Sequence, residues 1–254
     1  MRTIMKKRTV VGVLSVIAFS ILMITAQFST SETLFEDDFE GGKLDTKKWV
    51  EQPQWNIIKP EEDIKALGGG VLDFQDGQTN ISIKDDFTDF VFEADFNAKN
   101  SGKITGFVMR AEDKPANHYM HQISAAGSGH TPNHVRWHTR VGGNWAVDAI
   151  PFFDKEVVEP ETWYRARFVV EGENFKAYVL ETEDFWADPR NAKMRQLGDW
   201  DEGTYDEGAV GFRASGGEHM RYDNVLVYDI GDDIFAVEAG GKLALTWGQL
   251  KDER

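Results

Sequence analysis

Five of the six histidines, His118, His121, His130, His134 and His138, fall within 21 residues, a density that invites a metal-site reading. Strand geometry argues against a shared ion. His118 and His121 differ by an odd number and face opposite sides of an extended strand, while His134 and His138 share a side about 13 Å apart at roughly 3.3 Å per residue. A zinc ion needs its nitrogens at about 2.1 Å. Gly127, Gly129 and Pro132 ahead of Val135 and Trp137 favour loop then strand over the helix that would align His130, His134 and His138. What the pattern does make is one polar strand face, His134, Arg136, His138 and Arg140, opposite Val135, Trp137, Thr139 and Val141. Such a face suits hydrogen bonding to a glycan or attraction of a carboxylated sugar, and it fits an ordinary solvated strand face equally well.

The eight tryptophans bring a second chemistry, because a flat ring packs against the C–H face of a pyranose. Trp145, Trp186 and Trp200 lie in or beside polar stretches and are the stacking candidates; Trp49, Trp55 and Trp163 sit in core-like positions. The long polar stretch over 181–206 reads as an insertion at a groove edge. Glu93-Ala-Asp95 places two carboxylates on one strand face, and the expectation there is a solvated face of an amphipathic strand.

These residues have to be positioned by strands. From Leu34 onward apolar residues recur mostly at period two in short runs separated by Gly, Asp and Asn. The runs cover 54–58, 71–74, 79–83, 90–97, 104–110, 118–124, 133–141, 163–171, 175–181, 208–214 and 220–229. Helix-length amphipathic stretches are nearly missing. Ten or more short strands with no interior linker predict one antiparallel sandwich or jelly roll over 34–230. The tail 231–254 breaks at Gly240-Gly241 and has no assigned role.

The chain of 254 residues carries 28 basic and 43 acidic residues, a formal charge of −15, so no basic excess is available to neutralise a phosphate backbone and nucleic acid is excluded as an expected partner. Cysteine is absent, which removes disulfides, zinc–thiolate sites, iron–sulfur clusters and thiol nucleophiles. Arg2, Lys6, Lys7 and Arg8 precede a 15-residue apolar run from Val10 to Ile24, followed by small and polar residues. That is the pattern of a cleaved secretory signal over 1–26 rather than an anchor, since a bilayer span wants about 20 apolar residues. Cleavage removes four basic residues and leaves 24 against 43, a net of −19, on a body expected to be monomeric, outside the cytoplasm and off the membrane.

Several segments, in order, resemble the concanavalin A-like lectin/glucanase superfamily, and most closely its branch of 3-keto-disaccharide hydrolase and laminin-G-like domains. They include Phe35-Glu-Asp-Asp-Phe-Glu-Gly-Gly, Gly70-Val-Leu, Asp89-Phe-Val-Phe-Glu-Ala-Asp-Phe and Thr105-Gly-Phe-Val-Met-Arg. Tyr119-Met-His-Gln-Ile, Glu161-Thr-Trp-Tyr-Arg-Ala-Arg-Phe, Glu207-Gly-Ala-Val-Gly-Phe-Arg and Arg221-Tyr-Asp-Asn-Val-Leu-Val follow. The resemblance covers 34–230 and implies an all-β concanavalin A-like jelly roll.

It also implies a ligand groove on a concave sheet. The laminarinase-type Glu-x-Asp-x-x-Glu is not present at the strand after 106–110, and where the branch shows Tyr-Glu-x-Gln-Ile this chain has Tyr119 and Gln122 but Met120 in place of the acid. Arg110 resembles a recurrent groove arginine. Arg110, Gln122, Arg136 and His138, with Trp145 for stacking, are thus the expected ligand-binding residues, while no catalytic residue is assigned. The superfamily further implies one structural calcium, held by Asp38, the Gly41 turn and Asp223, though Glu36, Asp37 and Asp38 read as plain surface charge just as well. The expected function is carbohydrate binding, of a polysaccharide or oligosaccharide. A glycoside hydrolase or lyase of the 3-keto-disaccharide type and a structural cell-envelope adhesion module are the alternatives.

Overall fold

The structure, a computed structural model, describes residues 33–50, 52–60, 67–75, 79–99, 104–112, 116–126, 135–149 and 158–231. The signal segment 1–26, His130, His134 and all of the tail after Gly231 lie outside the described residues.

Among the described residues the chain forms fourteen strands and one short helix. The strands are β1 (Thr33–Asp37), β2 (Trp55–Ile58), β3 (Val71–Gln75), β4 (Thr79–Ser82), β5 (Phe90–Ala98), β6 (Ile104–Ala111) and β7 (His118–Ser124). They continue as β8 (Val135–Val141), β9 (Asn144–Ala149), β10 (Trp163–Glu171), β11 (Asn174–Glu181), β12 (Arg195–Asp201), β13 (Ala209–Ala214) and β14 (His219–Tyr228), with α1 (Thr182–Ala187) between β11 and β12. The larger sheet runs β12-β11-β10-β5-β14-β3-β2, with β1 paired to β14, and the smaller runs β4-β13-β6-β7-β8-β9. Neighbouring strands are antiparallel throughout. This is the predicted antiparallel β-sandwich.

Period-two alternation drives the packing, because each strand sends every second side chain into the space between the sheets. Phe92 and Phe96 of β5, Phe168 of β10 and Tyr222 of β14 enter from the larger sheet, and Phe107 of β6 and Phe212 of β13 enter from the smaller. Phe212 stacks on Tyr222 at 3.8 Å between centroids and Phe107 meets Phe168 at 4.8 Å, so the two sheets interlock ring to ring. Each such ring, fully buried, contributes on the order of 1.5–3 kcal/mol. Trp49 joins the opening segment to this core: it packs on Phe35 and Phe212 while its Nε1 donates to Asp37 at 2.7 Å. Close approach fixes one glycine. A Cβ on Gly211 would sit 2.1 Å from the Ile81 carbonyl oxygen across the β13–β4 ladder.

His121 points into this core. Its ring lies 4.8 Å from Phe168 and 5.1 Å from Trp200, and neither ring nitrogen has a hydrogen-bond partner. Burial, with the nearby His138 charge, pushes its pKa down from 6.5 to about 3. The unfolded chain therefore takes the proton first as pH falls below 6.5, and stability drops by about 1.4 kcal/mol per pH unit down to the folded value. His121→Leu is expected to flatten the part of that loss lying between pH 6.5 and 5, read from urea midpoints across that interval. An unchanged slope in the variant would show that His121 is not its source.

Candidate functional site

The smaller sheet has an outward face built mainly by β7 and β8. Alternation turns Tyr119, His121 and Ile123 of β7 inward and His118, Met120, Gln122 and Ser124 outward. On β8 it turns Val135, Trp137 and Thr139 inward and Arg136, His138 and Arg140 outward. The register sets Gln122 beside Arg136, Met120 beside His138 and His118 beside Arg140, and β9 sets Trp145 beside Arg140. Four of the five expected ligand residues, Gln122, Arg136, His138 and Trp145, thus come together on one face.

Trp145 is the hub of that face. His118 and His138 meet its ring edge to face at 5.3 and 5.5 Å, and the guanidinium groups of Arg140 and Arg213 lie 4.8 and 5.8 Å from its centroid. Arg213 comes from β13, with β6, β7 and β8 between it and β9. Its side chain lies across Gly106, where an added Cβ would stand 3.3 Å from its Cβ and 3.4 Å from its Cδ, so the bare backbone of β6 opens its path. Sequence reasoning passed over Arg213, although Gly-Phe-Arg in period two with an inward Phe212 already places it outward. Glu218 lies 3.6 Å from Arg213 and accepts the Ser215 amide at 2.5 Å. The centre of the face, with His118, Met120, Gln122, Ser124 and His138, is buried; Arg136, Arg140 and Arg213 are half-buried and Trp145 is 39% exposed.

Arg110 is not part of this face. It has a positive φ of 47° beside a bulge in the β13–β6 pairing. That twist swings it over the Phe175 ring, where Nε and Nη2 donate to the Thr88 carbonyl and Nη1 donates to that of Tyr205. Its work is to satisfy buried backbone. Trp200, expected as a stacking residue, is packed in the core against Trp137 at 5.6 Å, because β12 runs through the stretch read as an insertion.

The outward face of the larger sheet corrects a second expectation. Glu93 and Asp95 are fully buried, not solvated. Glu93 accepts from Arg165 Nε at 2.8 Å, from Tyr228 Oη at 2.6 Å and from Arg167 Nε. Asp95 accepts from Asn224 at 2.7 Å, Trp186 at 3.0 Å and Thr182 at 3.2 Å, with Arg165 at 3.4 Å. Trp186 and Thr182 belong to α1, and Phe185 and Trp186 both lie 4.9 Å from the Arg165 guanidinium, so the helix closes over the cluster. Burial holds Asp95 above the usual aspartate value despite Arg165; burial also opposes ionised Glu93, but Arg165 and Arg167 outweigh it and hold that group below the usual value. Both carboxylates are engaged by fixed donors, which makes this an internal brace rather than an acid–base pair.

Of the residues expected to hold calcium, Asp38 accepts the Glu40 amide at 3.2 Å, Asp223 lies buried on the larger sheet and accepts the Asn224 amide at 2.7 Å, and Gly41 sits in an exposed turn. Among the described residues no three His, Asp or Glu side chains gather to hold an ion.

The fold is thus an antiparallel β-sandwich with one outward face carrying Trp, Arg, His and Gln. The family described as the 3-keto-alpha-glucoside-1,2-lyase-like domain matches residues 30–227, and the chain belongs to that family. No curated protein matches it. Among solved structures it is similar to the carbohydrate-binding module CBM66 from Bacillus subtilis, at 19% identity and a TM-score of 0.50 over 69% of this chain and 96% of that one. It is also similar to a protein of unknown function with a galectin-like fold from Bacillus subtilis, at 12% identity and a TM-score of 0.53 over 78% and 98%. A xylan beta-1,4-xylosidase from Bacillus halodurans C-125 aligns at 12% identity and a TM-score of 0.51, over 76% of this chain but only 39% of that one. At these identities the likeness establishes the fold.

The brace on the larger sheet yields a direct test. Arg165→Met leaves two buried carboxylates short of their counter-charge, with an expected cost of about 3–5 kcal/mol in urea unfolding. A loss under about 1 kcal/mol would place that cluster in solvent.

Proposed function

We propose that the chain binds carbohydrate through the outward face of the smaller sheet, at the end where Trp145 is exposed. The observation that carries this reading is the convergence of His118, His138, Arg140 and Arg213 around that ring, with Gln122 and Arg136 further along the same face. An aromatic plane offers apolar contact to a sugar ring, and fixed donors beside it orient hydroxyl groups. Family membership and a fold shared with a protein named as a carbohydrate-binding module support it. Export by the segment 1–26 belongs to the same proposal, and N-terminal sequencing of the protein recovered outside the cytoplasm checks it.

Cleavage of a glycoside is the second reading, favoured by the family's description. The outward positions of β6, β7, β8 and β13 hold no Asp or Glu, and the position where the branch resemblance implies Glu is Met120 beside His138. Among the described residues of this face, His118, His138 and Glu218 are the candidates for a general acid or base. Release of sugar from a 3-keto-glycoside by the purified protein, abolished by His138→Gln, would replace the binding reading. Calcium at Asp38, Gly41 and Asp223 stands apart from both readings, and a melting temperature lowered by EDTA would bring it in.

Trp145→Ala is expected to weaken retention on a glycan array and in titration calorimetry by about tenfold or more, as truncation of an aromatic anchor does. The melting temperature should hold, because the ring is partly exposed. Retention unchanged by the substitution moves the binding surface elsewhere, and no retention on any glycan favours an adhesion module.

A further inference from the structure

Trp145 stands on β9, which among the described residues pairs with β8 alone, and the two strands are joined by the two-residue turn Gly142-Gly143. Both glycines have a positive φ, 56° and 84°, the backbone that such a turn demands and that glycine adopts without steric cost. An edge strand behind a glycine pair has little of its own to fix it. The rest of the fold supplies the hold: the Asn117 side chain accepts the Gly142 amide at 2.8 Å, the Ala116 carbonyl accepts the Gly143 amide at 2.9 Å, and the Tyr205 hydroxyl donates to the Arg140 carbonyl at 2.7 Å. Arg140 passes that hold on, since its guanidinium lies 4.8 Å from the Trp145 centroid and donates to the Gly143 carbonyl at 3.3 Å. Tyr205 is itself fixed. Lying between β12 and β13, it gives its amide to the Tyr119 hydroxyl at 2.6 Å, accepts Arg110 Nη1 on its carbonyl at 2.9 Å and packs its ring on that of Tyr119 at 5.2 Å.

We propose that Tyr205 is a positioning residue for the carbohydrate-binding edge: its hydroxyl, acting through Arg140, holds the Trp145 ring in the pose that a sugar meets. The inference rests on the carbohydrate-binding reading and adds to it a residue 65 positions along the chain from Arg140. Arg110 enters the same arrangement at one remove, by setting the Tyr205 carbonyl. A platform fixed before binding spares the ligand the entropy of ordering it, and that saving is what the Tyr205 hydroxyl contributes.

Tyr205→Phe is the test, because the ring contact with Tyr119 and the main-chain bonds stay while the bond to Arg140 goes. In the full chain labelled with 5-fluorotryptophan, loss of one fluorine resonance in Trp145→Phe identifies Trp145. Tyr205→Phe is expected to shift or broaden that resonance, and Asn117→Ala, which releases the Gly142 amide, to move it as well. In affinity gels containing laminarin, xylan or dextran, Tyr205→Phe is expected to weaken retardation about fivefold wherever the unsubstituted chain is retarded. A lowered urea midpoint with the Trp145 resonance unmoved makes Tyr205 a purely structural residue and overturns the proposal. A moved resonance with unchanged retardation overturns its link to binding. If no gel retards the unsubstituted chain and no array glycan retains it, the carbohydrate-binding reading falls, and the Trp145 resonance in Tyr205→Phe still decides the positioning.

Discussion

β5 has to satisfy two dry faces at once. All nine of its residues are buried, yet alternation gives it Phe90, Phe92, Ala94, Phe96 and Ala98 on one side and Val91, Glu93, Asp95 and Asn97 on the other. The inner side is met by rings from the opposite sheet. The outer side carries charge, and an ionised carboxylate without a partner in such a place would cost several kcal/mol. Every strand beside β5 answers this demand: β10 brings Arg165 and Arg167, and β14 brings Asn224 and Tyr228. The same logic extends one strand further, where Asp73 of β3 takes Arg221 at 2.9 Å and His219 at 2.9 Å.

Two local distortions make those answers reach. Asn224 adopts a positive φ of 48° at a bulge between β14 and β5, a conformation asparagine tolerates better than branched residues. The extra residue turns the Asn224 amide toward Asp95 while Val225 and Val227 stay in the core. α1 follows directly on β11 and lays Thr182, Phe185 and Trp186 over the charges, so one six-residue helix supplies both hydrogen bonds and an aromatic cover. With no disulfide available, this brace and the ring-to-ring interior together hold the sandwich.

The strands were largely legible because their cores follow period two, and β7 and β10 begin and end where the pattern does. β12 escaped because a bulge against β11 puts its two inward residues, Leu197 and Trp200, three apart instead of two. β9 is short and follows directly on Gly142-Gly143, which read as loop. The polar face of β8 was legible in Arg136 and His138, and register then added Gln122 and Trp145. Arg110 was misplaced because a bulge reverses the side that simple alternation assigns. Glu93 and Asp95 looked solvated because their partners lie far away in sequence, Arg165 being 72 residues from Glu93. Local pattern shows that a face is charged and does not show what lies over it.

The contrast between the two outward faces is what gives the smaller sheet its chemistry. On the larger sheet carboxylates and guanidinium groups are paired within hydrogen-bond distance and closed over by α1, which leaves them nothing to offer a ligand. On the smaller sheet Arg140 and Arg213 also lie against the Trp145 ring, with Arg140 donating to the Gly143 carbonyl and Arg213 beside Glu218. Gly106 matters here because an added Cβ would stand 2.9 Å from the Arg213 carbonyl oxygen and 3.3 Å from its Cβ, so the bare backbone lets Arg213 lie close against β6. A glycine on one strand, an arginine on a second and a tryptophan on a third thus form one unit. Its geometry depends on the sheet as a whole and on no single segment of the chain.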